Sequence, residues 1–217
     1  AFLGKVISDF GAALSTTLTY IGQQLGLYTA LRDAGPSTSA ELAKRTGLSE
    51  RYLREWLLNQ AAGGYVAYDP TTGRYHLPPE QAMALTDESS PFFIGGGFYV
   101  IKAMLRAEPR ISEAFRLGGG MFWGEHDPDL FIGTERFFRP GYATHLIASW
   151  IPALDGMEQK LQAGAIVADI GCGHGASTLI MARAYPKSRF WGFDNHEGSI
   201  QHARREAETA GVSDRVT

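Results

Sequence analysis

Val167-Ala-Asp-Ile-Gly-Cys-Gly-His-Gly-Ala-Ser177 passes from an apolar run through three alternating glycines into a helix-forming sequence. The apolar start predicts a strand over 165–170 and the continuation a helix over 176–185. A second apolar run predicts a strand over 189–193, and 198–210 reads as its following helix. This is one right-handed beta-alpha-beta crossover, so the two strands should be parallel. Gly171, Gly173 and Gly175 let the backbone turn tightly and come close to a ligand. The helix beginning near Ala176 would offer free amides and a positive dipole end. Asp169 closes the first strand. Asp194, in Trp191-Gly-Phe-Asp194, closes the second, where a carboxylate can hold a ribose diol.

Upstream, a different pattern appears. Phe2, Val6, Phe10, Leu14, Leu18, Ile21, Leu25 and Leu31 recur at helical spacing, which predicts one or two helices over 2–33. Their wide apolar stripe needs a partner, either the rest of the chain or a second subunit. A short helix follows Ser37-Thr-Ser39 and turns at Gly47. Ser49 is expected to cap the next helix, 50–62, which Gly63-Gly64 ends. Tyr65–Tyr68 and Arg74–Leu77 alternate around Asp69-Pro-Thr-Thr-Gly73, the mark of a hairpin. Helix, glycine turn, helix and hairpin make a winged helix-turn-helix. Leu42, Leu48, Leu53, Trp56 and Leu57 would share its core. Further on, 80–86 and 110–117 read as short helices, and 121–128 as a loop. The segment 130–153 reads as helices broken near Pro140-Gly141.

The expected fold is therefore multidomain. An all-α, winged-helix N-terminal domain occupies 1–90, a helical linker 91–155, and a partial α/β Rossmann-like domain 156–217. A chain of 217 residues allows one large domain or two small ones. A formal net charge of −3 argues against a nonspecific nucleic-acid surface. Cys172 is the single cysteine, which rules out an intrachain disulfide or a thiolate metal cluster and makes a cytoplasmic location the simplest reading. No signal-peptide pattern and no continuous apolar span appear, so no membrane association is expected.

Two nucleotides compete for the glycine loop. Dinucleotide sites also carry alternating glycines and a later acid. Here Gly175 comes one place early for GxGxxG, Ala176 stands where its last glycine would be, and Asp169 precedes the glycines. These departures favour S-adenosyl-L-methionine over NAD; an empty structural loop is the bland alternative.

Asp169-Ile-Gly-Cys-Gly-His-Gly175 resembles the first motif of class I S-adenosylmethionine-dependent methyltransferases, and Asp194 resembles their ribose-binding acid. Glu41-Leu-Ala-Lys-Arg-Thr-Gly-Leu-Ser-Glu50 with Tyr52-Leu-Arg-Glu-Trp56 resembles the winged-helix domain that precedes such domains in small-molecule methyltransferases. Ala61-Ala-Gly-Gly-Tyr65 and the Tyr68-Asp69 wing resemble a branch common in mycobacteria and other actinobacteria. The resemblance implies methyl transfer to a small, aromatic or apolar acceptor. It implies a cofactor site of Asp169, Gly171, Cys172, Gly173, His174, Gly175, Asp194 and Asn195. It also implies homodimerisation through the N-terminal helices and winged helix. A complete domain of that class has more strands, so the chain is expected to be an incomplete fragment, with Gly211–Thr217 approaching a third strand.

The acceptor is sought in an aromatic cluster that also holds Phe138; Phe122, Trp123, His126, Phe137, Tyr142 and His145 are its candidates for a pocket or, equally, for interdomain core. His126 and His145 are the candidate bases, although no catalytic residue is assigned. Cys172 has no base partner and is read as structural. Glu125, His126, Asp127 and Asp129 match no zinc or calcium spacing, so no metal is expected.

Two rival functions stay open. One is a DNA-binding transcriptional regulator. The winged helix, however, sets five basic residues (Lys44, Arg45, Arg51, Arg54, Arg74) against four acidic ones (Glu41, Glu50, Glu55, Asp69), a thin footprint for phosphates. DNA is thus an unfavoured partner. The other is a noncatalytic dimerising fragment.

Overall fold

The structure is a computed structural model describing residues 1–217. It divides into two compact units, Ala1–Phe98 and Tyr99–Thr217.

The first unit runs α1 (Phe2–Gln24), α2 (Leu27–Ala34), α3 (Ser39–Thr46), α4 (Glu50–Ala62), β1 (Ala67–Asp69), β2 (Arg74–His76) and α5 (Pro79–Thr86). The expected long apolar stretch is two helices, parted where Gly26 takes a left-handed φ of 65°. β1 and β2 pair antiparallel, and Ser37 extends the ribbon by exchanging two 2.8 Å backbone hydrogen bonds with Tyr75. Leu42, Leu53, Trp56 and Leu57 are buried together with Leu27, Tyr28 and Leu31. Thr38 caps α3 in a capping box: the Glu41 amide donates to Thr38 Oγ1 at 3.3 Å, and the Thr38 amide donates to Glu41 Oε2 at 2.8 Å. Arg74 of the wing then grips both oxygens of Glu41 at 2.8 Å, tying the hairpin to the cap. Ser49 stands at the N-cap of α4, but its hydroxyl caps nothing. Ser49 therefore marks this boundary by backbone conformation alone.

α6 (Gly95–Arg106) crosses into the second unit. That unit continues with α7 (Glu108–Leu117), a tight turn at Trp123–Glu125 and α8 (Asp129–His145). α9 (Met157–Ala163), β3 (Ile166–Ile170), α10 (Ala176–Ala184), β4 (Arg189–Phe193) and α11 (Glu197–Thr209) follow. The expected break at Pro140 does not occur: α8 runs through it to His145 and passes directly into a π-helical turn, Leu146–Trp150. A proline deprives the ladder of one amide. Here Pro140 is buried and α8 packs on α10, so tertiary contact holds the helix across the defect.

β3 and β4 are parallel, from Ile166 opposite Arg189 to Ile170 opposite Phe193. The far edge of β4 receives residues 215–217: the Phe190 amide donates to Arg215 at 2.8 Å and the Thr217 amide to Phe190 at 2.9 Å. Ile151, Leu161, Ala182, Tyr185, Phe190, Ala207 and Val212 form the core beneath the sheet. No helix is long and apolar enough to cross a membrane.

Candidate functional site

The loop between β3 and α10 is held from several directions. Gly171, Gly173 and Gly175 have φ of 76°, 54° and 80°, a region that favours glycine. The amides of Gly171 and Cys172 donate to the Phe193 carbonyl at 2.7 and 3.0 Å. Asp194 reaches back: its Oδ2 accepts from the Gly173 amide at 2.9 Å and its Oδ1 from the His196 amide at 2.8 Å. Asp169 braces the start of α10, accepting from Ser177 Oγ at 2.9 Å and Thr178 Oγ1 at 2.6 Å. A side chain placed on Gly171 or Gly173 would meet only open space, so both present bare backbone to a cavity. Gly175 differs, because its Cβ would lie 3.1 Å from that of Ala203 on α11.

That cavity, of about 300 Å³, lies between the loop and α8 within the second unit. Phe131, Thr134, Glu135, Phe138 and Tyr142 line it from α8 at helical spacing. Trp123 and Ser199 contribute from elsewhere, and the loop supplies Asp169 through His174. A more open depression of about 700 Å³ follows the strand ends past Asp194, Asn195 and Arg204.

Glu135 is the charged centre of the cavity wall. His174 Nδ1 lies 2.7 Å from its Oε2, His202 Nε2 lies 3.6 Å from the same oxygen, and Arg139 pairs with the other. Burial would raise the Glu135 pKa, but the His174 hydrogen bond and Arg139 outweigh it and hold the carboxyl below its ordinary range. His202 is shifted down by burial and by His174 beside it.

The ligand atoms of Glu135, His174 and His202 lie within 4.8 Å of one another, close enough to suggest a cation. The ring geometry points to an ion-pair cluster instead. Two imidazoles on one tetrahedral zinc, at Zn–N of about 2.1 Å, hold their ring centres about 5 Å apart. These rings stack with centroids at 4.0 Å and an interplanar angle of 23°.

Of the expected cofactor residues, Asp169, Gly171, Cys172, Gly173 and His174 line the cavity; Asp194 and Asn195 face the depression beyond, and Gly175 packs on α11. Burial first, then Asp169 and Asp194, push the Cys172 thiol up to about 11, consistent with a neutral structural role.

Of the expected acceptor residues, Trp123 and Tyr142 line the cavity. Phe122, His126, Phe137 and His145 do not. Phe122 is 77% exposed, Phe137 stands edge-on to Phe138, and His145 stacks on Trp150. His126 packs against Trp123, with its Nδ1 buried and without a hydrogen bond. The sequence points to none of Phe131, Thr134 and Glu135, whereas Phe138 belongs to the expected aromatic cluster and does line the cavity. The spacing of all four along α8 was the available signal. Asp127 and Asp129 pair with Lys102 and Arg106, and Asp127 meets Arg106 at 2.6 Å.

These features define a winged-helix unit followed by the opening portion of a class I methyltransferase-type α/β fold. Comparison with known proteins gives the same two parts. Residues 12–87 match the family described as "Rv2258c-like winged HTH domain", and 161–217 match "Methyltransferase domain". The chain is 25% identical over 225 residues to O-methyltransferase verK of Clonostachys rogersoniana, covering 98% of this chain and 55% of that protein. Among solved structures, mitomycin 7-O-methyltransferase MmcR matches with a TM-score of 0.70 at 22% identity, over 100% of this chain and 64% of its own. PigF, solved with SAH, matches at 0.69 and 20%, over 98% and 64%. An O-methyltransferase family protein from Burkholderia thailandensis matches at 0.68 and 17%, over 100% and 63%. The chain thus spans between half and two thirds of the length of these relatives.

Proposed function

We propose that this chain carries the cofactor-binding part of an S-adenosyl-L-methionine-dependent methyltransferase that acts on an oxygen of a small aromatic or apolar molecule. The observation that carries this reading is the loop geometry. Three left-handed glycines shape the loop, Asp194 pins it at the Gly173 amide, and the space above Gly171 and Gly173 is open to a cavity. Such a loop receives a ligand against bare backbone at a helix N-terminus. The names of verK, MmcR and the Burkholderia protein support an oxygen acceptor, and PigF with SAH supports the cofactor.

When bound, S-adenosyl-L-methionine supplies an electrophilic methyl on a sulfonium. This chain's residues would bind and orient. Asp194 has lone pairs left for a ribose diol, Asn195 lies beside it, and Gly171–Gly175 approach the ligand. Trp123, Phe131, Phe138 and Tyr142 form apolar and aromatic walls that exclude water from an in-line displacement. Of the residues expected to meet the acceptor, Trp123 and Tyr142 are the proposed contacts in this cavity; Phe122, His126, Phe137 and His145 stand outside its lining, and no base is assigned.

The division into 1–90, 91–155 and 156–217, the cytoplasmic location and the actinobacterial branch are part of the same proposal. The last rests only on Ala61–Tyr65 and the Tyr68-Asp69 wing. The winged helix is read as a dimerisation scaffold rather than a DNA reader. On α4, Arg51 pairs with Glu55 and Arg54 lies 3.6 Å from Glu50, so both arginines are already matched by acids.

Calorimetry on the full-length protein tests the reading. S-adenosyl-L-methionine should bind and NAD should not. Asp194→Ala should weaken binding by about tenfold or more, the scale of a lost charge-assisted hydrogen bond. Binding of NAD alone, or unchanged affinity in the variant, would defeat it.

A further inference from the structure

We infer that Glu135 is a positioning residue for the cofactor loop, acting through the His174 side chain; this inference rests on the cofactor reading above. His174 stands between two left-handed glycines, Gly173 and Gly175, the most permissive flanks a residue can have. Such a segment loses much conformational freedom when ordered, so its shape depends on what anchors it. Besides the backbone bonds from Gly171 and Cys172 to Phe193, two side-chain anchors hold its middle. From β4, Asp194 accepts the Gly173 amide at 2.9 Å. From α8, Glu135 accepts from His174 Nδ1 at 2.7 Å, and this is the one side-chain hydrogen bond that ties the middle of the loop to a helix.

The Glu135 anchor is built to stay charged and in place. Its side chain is 9% exposed and that of His174 is 8% exposed. Arg139, one turn along α8, pairs with the second carboxylate oxygen, while the ring of His202 from α11 stacks on the outer face of His174 at 4.0 Å. With the carboxyl held ionised, its Oε2 accepts the hydrogen bond from His174 Nδ1. Glu135 belongs to the same cavity-lining stripe as Phe131, Phe138 and Tyr142. The helix that walls the acceptor side therefore sets the loop that receives the cofactor.

The test is SAH affinity by calorimetry, with a melting temperature for each protein, on full-length wild type, Glu135→Ala, Glu135→Gln, His174→Ala and the Glu135→Ala/His174→Ala double variant. Each alanine variant should weaken SAH by about fivefold or more, and the double variant should be no worse than the weaker-binding single, because both remove one interaction. Glu135→Gln keeps an oxygen for Nδ1 and should recover most of the affinity lost in Glu135→Ala. A purely structural role would lower the melting temperature and leave the affinity of the folded protein unchanged. That result, or strictly additive losses, overturns the inference. If Glu135→Ala does not fold, Glu135→Gln and His174→Ala decide: His174→Ala binding SAH as wild type does would overturn it. Wild type that fails to bind SAH overturns the cofactor reading and this inference together. Wild type that binds, beside an unaffected Glu135→Ala, overturns this inference alone.

Discussion

Gly171 and Gly175 look alike in sequence and should fail differently when changed. Both have positive φ, so an alanine at either costs about 1 kcal/mol of backbone strain. At Gly175 the new Cβ would also press on Ala203 at 3.1 Å, whereas at Gly171 it would enter open space beside the cavity. Gly175→Ala is expected to lose about 1–3 kcal/mol of stability in urea melts. Gly171→Ala should lose less stability and more SAH affinity, because its methyl fills the ligand's side of the loop. Equal effects on both measurements would mean that the two glycines are interchangeable. Cys172 gives a separate check. With its thiol pushed up to about 11, its thiolate is scarce at pH 8. Iodoacetamide should label it about a hundredfold more slowly than an unperturbed cysteine at that pH, followed by peptide mass. The labelling rate should keep climbing as pH is raised towards 11.

At the scale of elements, α3 depends on a local device that can be weighed. Thr38→Ala removes the hydroxyl that caps the Glu41 amide and should cost about 1 kcal/mol in thermal or urea unfolding. Glu41→Ala should cost more, since Glu41 also receives both nitrogens of Arg74 from the wing. Equal losses would show that the wing contact contributes nothing. Such caps, turns and periods are local, which is why α3, α4, the hairpin and the β3-α10-β4 crossover could be read from spacing alone. What could not be read depends on neighbours distant in sequence. Pro140 reads as a break because the packing of α8 on α10 is invisible along the chain. Phe137 and Phe138 are adjacent and chemically alike, and only the helix phase set by that packing turns Phe138 into the cavity and Phe137 away. Glu135, His174 and His202 come from three elements, so no spacing rule brings them together. For the same reason, Asp194 could be placed at a strand end from sequence, but its grip on the Gly173 amide could not.

At the scale of the whole molecule, α1 poses the sharpest question. Its N-terminal half presents Phe2, Leu3, Ile7, Phe10 and Leu14 to solvent, each at least 60% exposed. Its C-terminal half is anchored: Gly22 packs against Trp56, and the Trp56 indole donates to the Leu18 carbonyl at 2.9 Å. Beside that anchored half, Leu18, Ile21, Leu25, Leu27, Tyr52 and Trp56 line an apolar groove of about 340 Å³. A helix owes most of its stability to burial of its apolar face, so the first three turns of α1 need a cover. The proposed homodimer provides one, with the exposed stripe of each copy lying on the same surface of the other, as a two-fold interface requires. Phe10 and Leu14 are one turn apart, between the exposed Phe2, Leu3 and Ile7 and the groove that Leu18 lines. The double variant Phe10→Glu/Leu14→Glu should place charge in the interface and convert a dimer to a monomer in light scattering after gel filtration. It should also lower the helical signal in circular dichroism by roughly the exposed half of α1. SAH affinity should change little, because the loop and its cavity lie wholly within the second unit. A wild-type protein that runs as a monomer at micromolar concentration would remove the dimer and leave the stripe of α1 to another partner. A dimer that survives both glutamates would place the interface on a different surface of the chain.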